Sequence, residues 1–302
     1  MKQNASPFPC GSPWASWLAE PLPQRPAGSA GKRGICDLTF TVARGRTCLQ
    51  HAFVSHPFHL TRPGYLDAGL PEMAVLYVQM PAGGLIQGDR TRLHIALARN
   101  SQVHLTTPAT EKIHTMTANC AVQEVSIAVA QDAYAEYYPE PIILFPRARL
   151  AQIVQVELAT GASFFFCEMF IAPTLRTGVP FAGLLNRLHV RANDGGLLFA
   201  ECSLVLPATH RLQTAGILAN AHCWGQAVFV TDQVSPSAAC HLHDRLLPTA
   251  HVVSGISTLP GNRGLVVKAL GCSTRAVRAV LYEAWDYIRT TYRGAPATRF
   301  PK

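Results

Sequence analysis

The sequence lacks the segments that place a protein in or across a membrane. Its longest apolar stretches, such as ASFFFCEMFIA at 162–172, contain a charge and fall well short of the roughly 20 residues that a spanning helix needs. The N-terminus MKQNASPFPCGSPW has no apolar core of the kind found in secretory signals. The sequence therefore predicts a protein that is not exported, has no membrane partner and works in the cytoplasm.

The chain also lacks the short motifs of several enzyme classes. It contains no GxxxxGK[ST] phosphate-binding loop, no GxSxG nucleophile elbow, no HExxH zinc motif and no cysteine within a recognisable catalytic signature. The stretch GSAGKR at 28–33 is too short for a phosphate-binding loop and has no hydroxyl to hold magnesium. We therefore predict a protein that is not an enzyme and has no catalytic residues.

The nine cysteines include no CxxC pair and are odd in number. This pattern is typical of reduced, mostly buried thiols and not of a disulfide framework or a zinc cage. The stretch Cys240-His241-Leu242-His243-Asp244 has two interpretations. On a strand, it would place His241 and His243 on one face within reach of a single cation. As a polar loop between two strands it would have no such role, and we favour the loop.

The formal charge of +8 is compatible with two kinds of partner. Nucleic acid is one, because neutralised phosphates supply most of its electrostatic affinity for basic proteins. However, the 26 Lys and Arg are spread along the chain, and no aromatic stripe runs between them as a base-stacking platform. We therefore predict no nucleic-acid partner and favour an acidic protein. A basic nucleic-acid-binding protein is kept as an alternative that a steep salt dependence of affinity would reveal.

The composition divides the chain into two parts. Residues 1–34 are rich in Pro, Gly and Ser, a composition that buries too little apolar surface to order itself, and we predict a flexible tail. Residues 35–302 are predicted to form a single β-rich domain. Within it, alternating segments place apolar residues on one face of each strand. These residues are Leu93, Ile95 and Leu97, then Val125, Ile127 and Val129, then Val154, Val156 and Leu158.

A weak internal repeat runs through the middle of the chain. Four segments consist of an alternating strand, a short polar turn and a second strand, and their turns begin at Ala98, Ala130, Ala159 and Ala192. Repeats of this length indicate stacked units, none of which can bury its apolar face alone. The sequence thus predicts a mainly β fold of stacked β-strand repeats, either a β-solenoid or a layered β-sandwich, with one core.

Helical spacing is clear only near the C-terminus. Residues 273–292 carry an apolar stripe, Ser273 or Thr274 can cap the start, and Gly294 with Pro296 ends the segment. A second, short helix is predicted around residues 208–221. We therefore expect one or two helices, the longer near the C-terminus.

Three glycines fall within the short stretch AGGLIQGDR at 82–90, directly before an alternating strand. The surrounding MPAGGLIQGDRTRLHIALARNSQVHLTTPATEKIH resembles the UreD (also called UreH) family of urease accessory proteins, with its PPGGxxxGD and LTTxxxTK pieces. The matching residues are Pro81, Gly83, Gly84, Gly88, Asp89, Leu105, Thr106, Thr107 and Lys112. PEPIILFPRAR at 139–149 and LVVKALGCSTRAVRAVLYEAWDYIR near the C-terminus are similar to later pieces of that family. One departure is Val179, which stands where the family has glutamate.

The resemblance implies a noncatalytic urease maturation factor. Such a scaffold binds the urease apoprotein, recruits the F-type accessory protein and through it the G-type GTPase, and helps to deliver nickel to the urease active site. It also implies a mainly β fold with two helices and a water-filled tunnel. Nickel would be a transient cargo, with no tightly bound cofactor. A generic β-repeat protein-binding scaffold without a metal role is the alternative.

The repeat suggests where a nickel path would run. Counting nine residues from each turn alanine gives Thr107, Pro139, Glu168 and Glu201, with Glu140 next to the proline, and equal offsets in equivalent strands are expected to share one side of the stack. Weak oxygen and imidazole ligands would pass a hydrated cation without trapping it. The predicted metal-transit residues are Asp89, Glu140, Glu168, His104 and His114. Alternatively, the acids form ordinary ion pairs with Arg147, Arg149 and Arg187.

The C-terminal helix is predicted to serve both the core and a partner. Val280 and Trp285 lie on its apolar stripe and are expected to pack against the sheet. The flanking residues are the predicted partner interface. They are Arg275, Arg278, Arg289 and Tyr292.

Overall fold

The computed structural model describes residues 8, 12–22, 31–175, 178–246 and 251–301. Seventeen strands and three α-helices make up the described chain. The first strands are β1 (Arg33–Ala43), β2 (Arg46–Val54), β3 (His59–Leu60), β4 (Ala74–Gln79), β5 (Arg90–Leu97), β6 (Gln102–Thr106), β7 (Glu111–Ile113), β8 (Ala121–Val129) and β9 (Tyr134–Tyr138). They are followed by β10 (Ile142–Leu144), β11 (Arg149–Leu158), β12 (Ser163–Ile171), β13 (Gly183–Ala192), β14 (Leu197–Val205), β15 (Cys223–Val230), β16 (Val252–Thr258) and β17 (Gly264–Gly271). The helices are α1 (Trp14–Ala19), α2 (Ala238–Arg245) and α3 (Thr274–Arg293).

The strands form two layered sheets. The seven-stranded sheet has the order β14-β13-β11-β8-β5-β1-β2. The ten-stranded sheet has the order β16-β17-β15-β12-β9-β6-β4-β3, with β10 beside β12 and β7 beside β10. The prediction of a mainly β, layered and solenoid-like fold is confirmed.

Three of the four predicted repeats are consecutive turns of one stack. β5, β8 and β11 are parallel neighbours in the seven-stranded sheet, and β6, β9 and β12 are parallel neighbours in the ten-stranded sheet. The turns between them also stack, since the N–H groups of Ala130 and Ala159 donate to the carbonyls of Leu97 and Val129. The fourth unit differs, because the turn at Ala192 leads back into the same sheet, where β14 pairs antiparallel with β13.

The main core lies between the two sheets, as the alternation predicts. All nine apolar residues predicted from the three alternating segments are buried there. A second apolar cluster lies on the other face of the ten-stranded sheet, beneath α3. The ten-stranded sheet is therefore covered on both faces, as is usual for sheets with parallel strands.

Helix α3 confirms the predicted 273–292 segment to within one residue. The Ser273 side chain accepts a hydrogen bond from the Ala276 N–H, and Gly294 ends the helix with φ of 68°. Val280 and Trp285 are buried against the sheet. The helix thus covers the second core.

Two other predictions of secondary structure are wrong. No helix occurs at residues 208–221, which form a series of turns. The CHLHD stretch, interpreted as a strand or a loop, instead lies in α2, where Ser237 precedes the first residue and Leu242 is buried. Successive helical residues turn by about 100°, so His241 and His243 point in different directions and do not form the metal pair that a strand would create.

The N-terminal segment departs from the predicted flexible tail at residues 12–22. Trp14 of α1 is fully buried against Cys120, Val122 and other residues on the outer face of the seven-stranded sheet. Glu20 fixes the end of the segment, since its carboxylate accepts from the Arg149 guanidinium at 2.7 Å and from the Asn119 N–H at 2.6 Å. The overall composition did not predict this contact, because two tryptophans within a short segment supply enough apolar area to hold it against the sheet. The remainder of the predicted tail before residue 31, apart from Phe8, lies outside the described residues.

The described cysteines are less buried than the sequence predicts, since half of them are partly or fully exposed. All eight described cysteines are free, with four buried, one half-buried and three exposed. No helix in the described ranges is long and apolar enough to span a bilayer.

Candidate functional site

The glycine-rich turn at 82–90 packs tightly against β7. Gly84 has φ of +123°, and a Cβ placed there would lie 2.3 Å from the Lys112 carbonyl oxygen. The Leu85 N–H donates to that same carbonyl at 2.8 Å, and the His114 N–H donates to the Leu85 carbonyl at 2.9 Å. Glycine is thus required because the backbone approaches a neighbouring strand more closely than any side chain permits.

Asp89 closes this turn from within. Its side chain is fully buried and lies 3.0 Å from the Lys32 ammonium. Its two oxygens also accept from the N–H groups of Lys32 at 2.9 Å and Ile86 at 3.0 Å. Since both carboxylate oxygens already have donors, Asp89 holds the turn together and offers no free ligand to a passing cation.

The other motif residues also have structural partners. The Thr106 hydroxyl donates to the Tyr138 carbonyl at 2.7 Å, and the Thr107 hydroxyl accepts from the Glu140 N–H at 2.8 Å. His114 Nε2 lies 2.9 Å from the Gly83 carbonyl oxygen. Lys112 points to solvent. The matched motif therefore joins neighbouring strands and the opening turn.

A cavity of about 460 Å³ lies between α3, the ten-stranded sheet and the C-terminal segment. Its walls include His104, Glu140 and residues 167–169 of β12, while residues 298–300 close one side. Arg275 and Arg278 of α3 line it from exposed positions, and Arg278 forms an ion pair with Glu140. The structure thus brings three predicted transit residues and two predicted interface residues to one cavity, with Glu168 forming part of the β12 wall.

Beside this cavity lies a buried charge cluster centred on Glu136, a residue that the sequence did not single out. His104 Nδ1 lies 2.6 Å from Glu136 Oε2, and Tyr134 and Trp285 donate to Glu136 Oε1 at 2.5 and 3.0 Å. Burial would raise the pKa of Glu136, but the His104 hydrogen bond and the charges of His104 and Arg289 lower it to about 2. This carboxylate is therefore held in its ionised form.

Arg289 corrects one interface prediction. Its side chain is completely buried, donates to Asp67 at 2.5 Å and contacts both oxygens of Glu136. A guanidinium between two buried carboxylates inside the chain cannot contact a partner. Tyr292 is half-buried and its ring lies 5.1 Å from that of Phe229.

Glu168 occupies a different kind of site on the opposite face of the same sheet. Its carboxylate points between the sheets and accepts from Gln152 at 2.7 Å, Asn186 at 2.5 Å and Gln226 at 2.7 Å. All three donors are neutral amides. Burial raises the pKa of Glu168 to about 7, although the amide hydrogen bonds act in the opposite direction.

The Glu168 site also contains an amide oxygen without a partner. Gln226 is 5% exposed, and its Oε1 atom is buried with no hydrogen-bond donor. A buried acceptor without a donor is costly in a folded protein. The Glu168 site therefore has a poorly compensated negative charge and an unused oxygen in the same place.

A further acid, Glu111, is half-buried and lies towards the opening turn. Burial and the nearby charge of Asp89 raise its pKa to about 7, while Lys32 acts in the opposite direction. Burial raises the pKa of the Tyr137 phenol, and the charges of Glu168 and Glu111 raise it further. Tyr137 is thus within electrostatic range of both acids.

The predicted transit residues consequently do not form one column. Asp89 and His114 lie at the opening turn, His104 and Glu140 lie beneath α3, and Glu168 lies between the sheets. Glu201 lies in the seven-stranded sheet and pairs with Lys268 at 2.7 Å. The registers of β6, β9 and β12 agree with equal offsets in the first three units, but the fourth unit stays in one sheet. Glu140 is one residue beyond the equal offset and lines the α3 cavity.

Within the described part of the chain, no three His, Cys, Asp or Glu side chains are grouped to hold a metal ion. Two of the amides around Glu168 could have been predicted in the same way as Glu168, from a polar residue within an apolar strand. Gln152 and Gln226 are polar residues within otherwise apolar strands, a pattern that indicates a buried polar contact.

Comparison with known proteins places the chain beside one family. The sequence model of the UreD urease accessory protein family matches residues 32–301 of this chain. Urease accessory protein UreD of Haloarcula marismortui is 30% identical over 286 residues, covering 93% of this chain and 94% of that protein. Urease accessory protein UreD 2 of Brucella suis is 31% identical over 289 residues, with coverage of 93% and 94%. Urease accessory protein UreD of Cenarchaeum symbiosum is 28% identical over 253 residues, with coverage of 83% and 89%.

Proposed function

The chain belongs to the family of UreD urease accessory proteins, and we propose that it is a noncatalytic urease maturation factor. In this proposal it binds the urease apoprotein together with the F-type accessory protein and the G-type GTPase. It helps to deliver nickel to the urease active site and works in the cytoplasm. Nickel is its cargo and is not retained.

The observation that carries the metal role is the Glu168 site. A buried carboxylate that accepts hydrogen bonds from three neutral amides gains stability from any cation that reaches it, because the amides do not compensate its charge. A single carboxylate with amide oxygens is a weak set of ligands for a divalent ion. Weak binding suits transfer, since a conducting site must release what it admits.

The half-buried acid Glu111 extends this proposal towards the opening turn. The charges of Glu111 and Glu168 both raise the pKa of Tyr137, and both acids have pKa values of about 7. Near neutral pH each acid is therefore partly protonated, and a divalent cation would displace the proton on binding. We assign the path to the space between the sheets, from Glu111 to Glu168.

Partner binding is assigned to the exposed arginines of α3. Arg275 and Arg278 lie beside the cavity and are accessible to an acidic surface. Charges at the rim of an interface mainly accelerate association and select partners. Arg289 has no part in this assignment.

The proposal is tested by co-expressing the chain with urease and the other accessory proteins, then measuring nickel per urease active site and urease activity. Glu168→Gln keeps the size of the side chain and removes the negative charge. Its one remaining oxygen can still accept from Asn186 and Gln226, while its NH2 group takes the place of the oxygen that accepts from Gln152. We expect it to lower both nickel content and activity while urease and the accessory proteins still co-purify with the chain.

Glu124→Gln is the matched control, because Glu124 is a half-exposed acid on the outer face of the seven-stranded sheet, paired with Arg92 at 3.1 Å. It should behave as the unmodified chain. Full nickel loading with Glu168→Gln would exclude the metal role and leave a protein-binding scaffold. Loss of co-purification with the unmodified chain would contradict the maturation role itself.

A further inference from the structure

Five strands end the two sheets, and four of them carry features that block strand addition. β7 is only three residues long and carries Glu111 and Lys112. β3 is only two residues long. The pairings of β1 with β2 and of β13 with β14 each contain a register shift, and β2 and β14 carry the charged residues Arg46 and Glu201. Short edges, bulges and charges are the usual means by which proteins prevent edge-to-edge association.

β16 has none of these features. It spans seven residues, VVSGIST, without a charge or a proline, and it pairs with β17 along its whole length without a register shift. Val253 is 68% exposed. Among the described residues no strand pairs with its other side. β16 is therefore an open edge on which another strand can add.

The hydrogen bonds of β16 show which of its groups are free. The Leu259 N–H donates to the Gly264 carbonyl, and the His251 carbonyl accepts from the Cys272 N–H. In an antiparallel pair the residues bonded to the partner alternate, so odd-numbered residues of β16 face β17. The backbone groups of Val252, Ser254, Ile256 and Thr258 consequently point outwards.

This outward set is suited to pairing with a second copy of itself. If two β16 strands run antiparallel about Gly255, Val252 lies opposite Thr258 and Ser254 lies opposite Ile256. Every outward-facing residue then meets another outward-facing residue, which is the condition for a continuous hydrogen-bonded ladder. The composition is also nearly the same in both directions about Gly255, with β-branched residues at both ends.

The centre of such a pair is free of steric and electrostatic conflict. The two Gly255 residues would face each other at the closer, non-hydrogen-bonded spacing, and a Cβ built at Gly255 meets no atom within 4 Å. The absence of charge matters in a chain with a net charge of +8, because like charges opposite each other would oppose self-association.

We propose that β16 is a self-association edge, through which two copies of the chain pair antiparallel about Gly255 and join their ten-stranded sheets into one. The isologous contact leaves the Glu168 site and the α3 cavity untouched. It is independent of the nickel role, so that either can fail without the other.

The register is tested by charge pairs at the two most exposed positions. In this arrangement Val253 of one copy lies opposite Ser257 of the other. The variant V253K/S257K places like charges opposite each other, and we expect only single-chain mass in concentration-dependent analytical ultracentrifugation. V253K/S257E places opposite charges there and should restore the two-chain mass.

A cysteine cross-link gives a second readout that needs no change in charge. Gly255→Cys, in a background in which Cys202, Cys240 and Cys272 are replaced by serine, brings the two Cα atoms to about 4.5 Å, within the range of a disulfide. Oxidised glutathione should then yield a covalent dimer. Val253→Cys is the matched control, because its exposed side chain faces Ser257 and should remain uncross-linked.

Two results would overturn the proposal. One is single-chain mass for the unmodified protein at every concentration. The other is a dimer that V253K/S257K leaves intact, which would place the contact elsewhere.

Discussion

Glu136 and Glu168 lie on neighbouring strands of the ten-stranded sheet, and both are buried, yet their surroundings shift their pKa values in opposite directions. Glu136 faces α3, where a histidine, an arginine, a tyrosine and a tryptophan surround it, and its pKa is lowered to about 2. Glu168 faces the seven-stranded sheet, where three amides surround it, and its pKa is raised to about 7. Burial acts on both in the same sense, so the difference comes from the charge of the neighbours.

The comparison separates an acid that holds the fold from one that is available to a ligand. Glu136 connects β9 to α3 and to Asp67 through one buried guanidinium, and its removal would leave charges without partners. Glu168 accepts hydrogen bonds from three neutral amides, which supply no positive charge, and it therefore favours a proton or another cation. The two sites make different predictions for stability and for pH dependence.

The largest expected effect is that of Arg289→Met, which removes the cation from the Glu136 cluster. Two buried carboxylates, Asp67 and Glu136, would lose their main counter-charge, and we expect a loss of about 3–5 kcal/mol in the free energy of unfolding. Urea denaturation followed by tryptophan fluorescence measures this loss.

Arg245→Met is the control for this variant, because Arg245 also pairs with two acids, Glu283 and Asp286, but is partly exposed. Its expected cost is under about 1 kcal/mol. Equal losses for the two variants would show that the Glu136 cluster is no more important to the fold than a surface network.

An effect of intermediate size is expected from Glu168→Gln, measured as stability against pH. The folded protein binds the Glu168 proton more tightly than the unfolded chain does, so the unmodified protein loses stability as pH rises from about 4.5 to about 7. The whole loss is on the order of 3 kcal/mol. The glutamine variant does not ionise, and it should be the more stable protein at pH 8.

The opposite sign is expected at the other acid. The stability that Glu136 contributes is present above its unfolded pKa of about 4.5 and is lost as pH falls towards about 2. Glu136→Gln should therefore be less stable than the unmodified protein at pH 8. If both glutamine variants shift stability in the same direction, the distinction between the two sites is wrong.

The smallest effect on stability is expected from Arg278→Met at the α3 cavity. The Arg278 side chain is 47% exposed, and its ion pair with Glu140 should contribute under about 1 kcal/mol. If Arg278 is part of the partner interface, co-purification of the other maturation proteins should nevertheless fall. A destabilisation as large as that of Arg289→Met would make this ion pair a structural one.

Much of the fold could be predicted from local patterns. The alternation of apolar and polar residues identified the buried faces of β5, β8 and β11, because a half-buried strand directs every second side chain into the core. The apolar stripe and the capping residues located α3 for the same kind of reason. Composition alone failed at residues 12–22, where Trp14 and Glu20 dock a segment whose prolines and glycines suggested a tail.

The site was harder to predict because its partners come from distant parts of the chain. Glu168 was identifiable as a carboxylate in an apolar strand, but Gln226 meets it only through the pairing of β12 with β15. Gln152 and Asn186 meet it only after the two sheets stack. Arg289 was assigned to the surface because it flanks the apolar stripe of α3. Its burial depends on Asp67, which lies more than two hundred residues away.

The sequence by itself determined the strand and helix periods, the stacked repeat and the family, since these depend on the order of residues along the chain. The tertiary structure alone decided which buried acid meets charges and which meets amides. A strand carries successive side chains to opposite faces of a sheet, and what waits on each face is supplied by other segments. The different pKa values of Glu136 and Glu168 follow from that placement.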